Sequence, residues 1–156
     1  MKQNLSETKT LINKIYTIPP SAKAAIYGRG DYLDIFGEVE FFQFENHVIV
    51  AATIHNLPTT KTNIFGFHIH ENGDCSGDFS SAGGHFGGTE HPNHKGDMPV
   101  LLGNNGNAFL VFCTNRFTVN EVIGKSVIIH DSPDDFTTQP AGNSGERIAC
   151  GIIEKD

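Results

Sequence analysis

From Lys23 onward the chain alternates apolar and polar residues in short runs, punctuated by glycine, asparagine and proline. Successive side chains of a strand face opposite sides, so a period of two reads as β-structure with one face buried. Ala24–Tyr27 predicts a first strand, and Gly28-Arg29-Gly30-Asp31 a turn. Ile35–Phe44 places Val39 and Phe41 on one face, with Glu38 and Glu40 flanking. Glu45-Asn46 predicts a hairpin turn, and His47–His55 the returning strand. In Ile64–Glu71, Phe65, Phe67 and Ile69 share the core face, while His68 and His70 project together from the outer wall. Asn104-Asn105-Gly106-Asn107 is a turn, after which Ala108–Cys113 sets Phe109, Val111 and Cys113 on one side. Ser126–His130 and Arg147–Ile153 are further apolar strands.

Short strands separated by turns, with long polar loops at 72–97 and 131–146, define the fold class. It is all-β: an eight-stranded antiparallel Greek-key barrel or sandwich, immunoglobulin-like, with two long functional loops. At 156 residues the chain is read as one domain. Residues 1–21 form a polar lead-in closed by Pro19-Pro20, in which Leu11, Ile12 and Ile15 patch the edge of the domain at 22–156.

Composition narrows the partners. A net charge of −7 and a pI near 5.5 argue against nucleic acid and against an anionic membrane. No window reaches the length of a transmembrane helix. MKQNLSETKTLINKIYTIPP shows no signal peptide, which points to the cytoplasm, or to the periplasm or secretion if the N-terminus was trimmed. Three cysteines, Cys75, Cys113 and Cys150, are too few for a disulfide scaffold; one pair with one left over is the simplest reading. Cys113 reads as a buried strand thiol.

The chemistry concentrates in Gly66–Asp97, which holds five of the eight histidines. After Glu71 it has no periodic apolar pattern and cannot bury a core of its own, so a metal is the expected clamp. His68-Ile69-His70 offers two imidazoles on one strand face, His85 follows Gly83-Gly84, and His91, His94 and Asp97 recur at intervals of three. His130 ends a distant strand. Imidazole suits copper and zinc, and a mixed imidazole and carboxylate set suits tetrahedral zinc. His47 and His55 read as ordinary surface or satisfied residues.

GFHIHENGDC, SAGGHF, HKGDMP, VIIHDSPDD and GNSGERIACG, in that order, resemble the copper/zinc superoxide dismutases, and the likeness runs from Lys23 to Ile153. The position of Cys75 just after Gly73-Asp74 resembles bacterial members. The resemblance implies copper held by His68, His70, His85 and His130, and zinc held by His85, His91, His94 and Asp97, with His85 bridging. It implies that Arg147 guides the superoxide anion, that His85 serves as proton source, and that Asp134 links His68 and His91. It also implies a Cys75–Cys150 disulfide. The reaction implied is disproportionation of superoxide to oxygen and hydrogen peroxide; the alternative is a non-catalytic copper/zinc-binding β-barrel. Lys95 is a weaker candidate for guiding the anion, and a homodimer is left open.

Overall fold

The computed structural model describes Thr10 and residues 13–156. The strands run β1 (Ala22–Gly28), β2 (Phe36–Phe44), β3 (His47–His55), β4 (Ile64–Phe65), β5 (Phe67–His70), β6 (Leu101–Leu102), β7 (Ala108–Thr114), β8 (Ser126–His130) and β9 (Arg147–Lys155). A single turn of helix, α1 (Val119–Val122), precedes β8. Seven strands form one antiparallel sheet in the order β5-β8-β9-β1-β2-β3-β7, and β4 pairs with β6 apart from it.

Alternation sets the inner face. Val39 and Phe41 of β2, Val48, Val50 and Ala52 of β3, and Ile26 of β1 are fully buried. Phe67 and Ile69 from one edge strand join the same core as Ala108 from the other edge. That joining requires the sheet to curl, giving the Greek-key barrel wall that closes around one apolar interior. Among the described residues no helix is long and apolar enough to cross a membrane.

The strand expected at Ile64–Glu71 is broken in two at Gly66, so nine strands are found among the described residues; counting β4 and β5 as one gives eight. The break has a steric cause. A Cβ at Gly66 would lie 2.8 Å from Ser144 Cβ and 3.2 Å from both His130 Cβ and Ser132 O. Gly66 instead donates its N–H to Ser132 O (2.8 Å) and accepts from His130 N (2.9 Å). The second long loop thus docks where the histidine strand begins.

Among the described residues, β6, of two residues, and α1, of four, had no counterpart in the pattern reading. Their length is too short for periodicity to register. One expectation is corrected: Cys113 is an exposed free thiol, because Phe109, Val111 and Cys113 take the outer face of β7. The loop after Glu71 buries Phe79 and Ala82 against Ile128 of β8 and Cys150 of β9, leaning on the sheet for its apolar contacts.

Of the expected edge patch, Leu11 and Ile12 lie outside the described residues. Ile15 packs with Phe42, Ile49 and Ala51, which belong to the outer face of β2 and β3.

Candidate metal centre

Strand β5 puts His68 and His70 on the face opposite Ile69, and both imidazoles are buried. An outer wall would normally be wet; here the loop 84–97 lies along it. Ile69 N donates to Gly96 O (2.9 Å), Phe86 N donates to Ile69 O (2.8 Å), and His70 pairs with His85 and His68 with Asp97 as isolated bridges. This pairing carries His85 and Asp97 to the strand. His130 arrives from β8, which is hydrogen-bonded beside β5.

The structure brings His68, His70, His85 and His130 into one cluster and His85, His91, His94 and Asp97 into a second, with the potential ligand atoms of each set within 4.8 Å of one another. His85 belongs to both. Its ring stacks on His68 with centroids 3.9 Å apart.

Each ring has one nitrogen anchored. His68 Nε2 and His91 Nε2 each lie 2.7 Å from opposite oxygens of Asp134, so one carboxylate joins the two clusters. His70 Nδ1 donates to Gly83 O at 2.9 Å, and His130 Nδ1 to Gly145 O at 3.3 Å. His85 Nδ1 lies 2.7 Å from Asp97 Oδ1. The other oxygen of Asp97 lies 3.2 Å from His94 Nδ1 and from His91 Nδ1, the latter out of line for a hydrogen bond.

The remaining nitrogens are the telling ones. His68 Nδ1, His70 Nε2, His85 Nε2, His91 Nδ1 and His130 Nε2 are buried without a hydrogen-bond partner. Burying an unpaired polar atom costs about 1–3 kcal/mol, and native structures rarely tolerate it without reason. Four of these atoms, one from each ring, converge in the first cluster, as a metal needs.

Electrostatics prepares the same chemistry. Burial lowers the pKa of His68; it lowers that of His70 to about 2 and, with His68 adding to the effect, that of His130 to about 3. The rings are therefore neutral, the form in which nitrogen ligates. Burial opposes ionisation of Asp97, yet the His85 hydrogen bond and the neighbouring imidazoles outweigh it and hold the carboxyl at about 2.

Arg147, at the start of β9, donates through Nη2 to Gly83 O at 2.7 Å, the carbonyl that also anchors His70. Its Nη1 donates to Phe79 O. The guanidinium lines a cavity of about 540 Å³ shared with Arg29, Asp31, Asp78 and Glu146. Lys95 is placed elsewhere: its ammonium pairs with Glu121 and does not line that cavity.

Other supports escaped the sequence reading. Gln139 clamps the His91 backbone from both sides, accepting from His91 N (2.9 Å) and donating to His91 O (2.7 Å). Arg116 Nη1 donates to Pro92 O (2.9 Å) and His94 O (3.1 Å). Neither residue sits in a motif that announces this role. A disulfide joins Cys75 to Cys150, tying the loop to β9 across 75 residues of chain. His55 Nδ1 meets Asn107 Oδ1 at 2.7 Å, away from both clusters.

A curled Greek-key sheet with two adjoining histidine-rich clusters on one wall defines the class: a β-barrel metalloprotein. The family follows from comparison. Residues 35–153 match the sequence model of the copper/zinc superoxide dismutase family, and the chain belongs to that family. A Cu-Zn superoxide dismutase of Aquifex aeolicus is 35% identical over 136 residues, spanning 76% of this chain and 79% of its own. That of Deinococcus radiodurans is 34% identical over 151 residues, 81% of this chain and 83% of its own. That of Legionella pneumophila is 30% identical over 155 residues, 93% and 94% of the two chains.

Proposed function

We propose that His68, His70, His85 and His130 hold copper, that His85, His91, His94 and Asp97 hold zinc, and that the domain at 22–156 disproportionates superoxide. The convergence of four partnerless nitrogens in the first cluster carries this reading. Copper bound there supplies one-electron exchange with two superoxide anions in turn, and two protons complete one oxygen and one hydrogen peroxide; zinc supplies fixed charge and structure.

The chain's own residues do the rest. Asp134 orients His68 and His91 by taking their outer N–H groups, which fixes the ring faces and tautomers. His85 is placed to hold a proton at Nε2 and release it toward product, with Nδ1 directed at Asp97. Arg147 attracts the incoming anion and fixes it near His70 and His130, against a chain of net charge −7. A disulfide persists in an oxidising space, so a cytoplasmic location requires that Cys75–Cys150 resist cellular reductants.

The test combines dismutase activity with metal analysis on one sample. Full loading with turnover is expected, and His130→Ala should lose copper while keeping zinc. Metal bound without turnover would leave a copper/zinc-holding barrel instead. Loss of zinc with retention of copper in His130→Ala would overturn the ligand assignment.

A further inference from the structure

The turn after β1 carries Arg29, and the structure brings it to the same cavity as Arg147. Arg29 Nη1 donates to Gly77 O at 2.7 Å, and its guanidinium lies over the Phe79 ring, 5.3 Å from the centroid. Phe79 is itself fixed: its ring is buried against Ala82, Ile128 and Cys150, and its carbonyl accepts from Arg147 Nη1. The two guanidiniums therefore grip one residue, Arg29 by the ring and Arg147 by the carbonyl.

Charge gives this placement a consequence. Of the residues lining the cavity, Arg29 and Arg147 are cationic and Asp31, Asp78 and Glu146 are anionic. Asp78 interacts with both guanidiniums, its carboxyl being held low first by Ser80 and also by Arg29, while it opposes the lowering of Arg147 by burial. An anion that approaches Arg147 through this cavity, on a chain of net charge −7, meets two cations facing three carboxylates. Without Arg29 a single cation would face all three.

We propose that Arg29 is a second anion-capturing cation of the cavity beside Arg147, held in place by Gly77 and Phe79. The proposal rests on the reading of Arg147 as the guide for superoxide. A guanidinium suits the position because its plane lies on an aromatic ring while its fork still donates to a carbonyl.

The test compares wild type, Arg29→Gln and Arg29→Lys, each loaded with copper and zinc, by kcat/KM for superoxide against ionic strength. Arg29→Gln, which keeps a donor but no charge, should lower kcat/KM about 2–5-fold at low salt and flatten the salt dependence. Arg29→Lys should retain most of both. Azide affinity, read from the visible absorption of the copper-loaded proteins, should weaken in Arg29→Gln and not in Arg29→Lys. Equal values for Arg29→Gln and wild type, or an equal fall in both variants, would overturn the capture role. Absence of turnover in metal-loaded wild type would strike the dismutase reading instead, and the azide series would still decide Arg29.

Discussion

At the scale of single residues, Asp134 has the widest reach. It accepts from rings of both clusters and also from Phe136 N, at 2.6 Å, so its position is fixed from three sides. Asp134→Asn offers one acceptor oxygen where two are needed. It should weaken metal retention about 10–100-fold, read by chelator competition on the loaded protein. Gly142 supplies an indirect version of the same test. Its φ is +66°, and a Cβ there would lie 2.2 Å from Asp134 Oδ1 and 2.6 Å from His91 Nε2. Gly142→Ala should therefore match Asp134→Asn in chelator competition with every ligand intact. Most of this was legible in the chain, because His-x-His on a strand shares a face and Asp134 follows a recognisable motif. Gly142 was not: nothing in a glycine's sequence context states which side chain would collide with its Cβ.

At the scale of elements, the loops are held by side chains that hold no metal. Arg116 fixes the backbone at Pro92 and His94, and Gln139 fixes His91. Arg116→Met should release zinc up to about 30-fold faster, the equivalent of two lost hydrogen bonds worth about 1 kcal/mol each, and dye-linked zinc release would read it. The disulfide acts on the other loop. Cys75→Ser frees a connection spanning 75 residues and should cost about 2–5 kcal/mol in denaturant unfolding. Helix α1 has a local signal that pattern reading passed over. Glu121 Oε2 accepts from Thr118 N at 2.8 Å and from its hydroxyl at 3.0 Å, the reciprocal half of a capping box. Lys95 first, then Thr118, hold Glu121 at about 2 against an ordinary 4.5. Because its folded pKa is depressed, its stabilisation is present above pH 4.5 and lost as pH falls toward 2. Glu121→Gln should remove that acid sensitivity at a cost of about 0.5–1 kcal/mol at neutral pH, read from unfolding midpoints across pH. Thr118-x-x-Glu121 was visible in the sequence, whereas the partners of Arg116 and Gln139 lie 22 to 48 residues away and only the folded loops reveal them.

At the scale of the molecule, a chain of net charge −7 that is to take up an anion needs local cations to offset its field, the role proposed for Arg147. Arg147→Ile should lower kcat/KM by about 10-fold or more at low ionic strength, with copper and zinc content unchanged; full activity there would remove the steering role. The curled sheet was legible because strand alternation is a local property. The side of a strand that neighbouring chain will cover is not, which is why Cys113 is exposed and the histidine wall is dry.

That dry wall has a consequence at the edge of the sheet. Strand β5 is an edge of the seven-stranded sheet, and the backbone of Phe86 and Gly96 occupies both hydrogen-bonding groups of Ile69. A free edge is a template for adding a foreign strand. The loop that carries His85 and Asp97 therefore caps this edge at Ile69, and whatever loosens its grip opens the edge to strand addition. Stripping the metals should speed amide exchange at Ile69 and promote thioflavin-positive assembly, while a metal-replete sample at equal concentration remains clear.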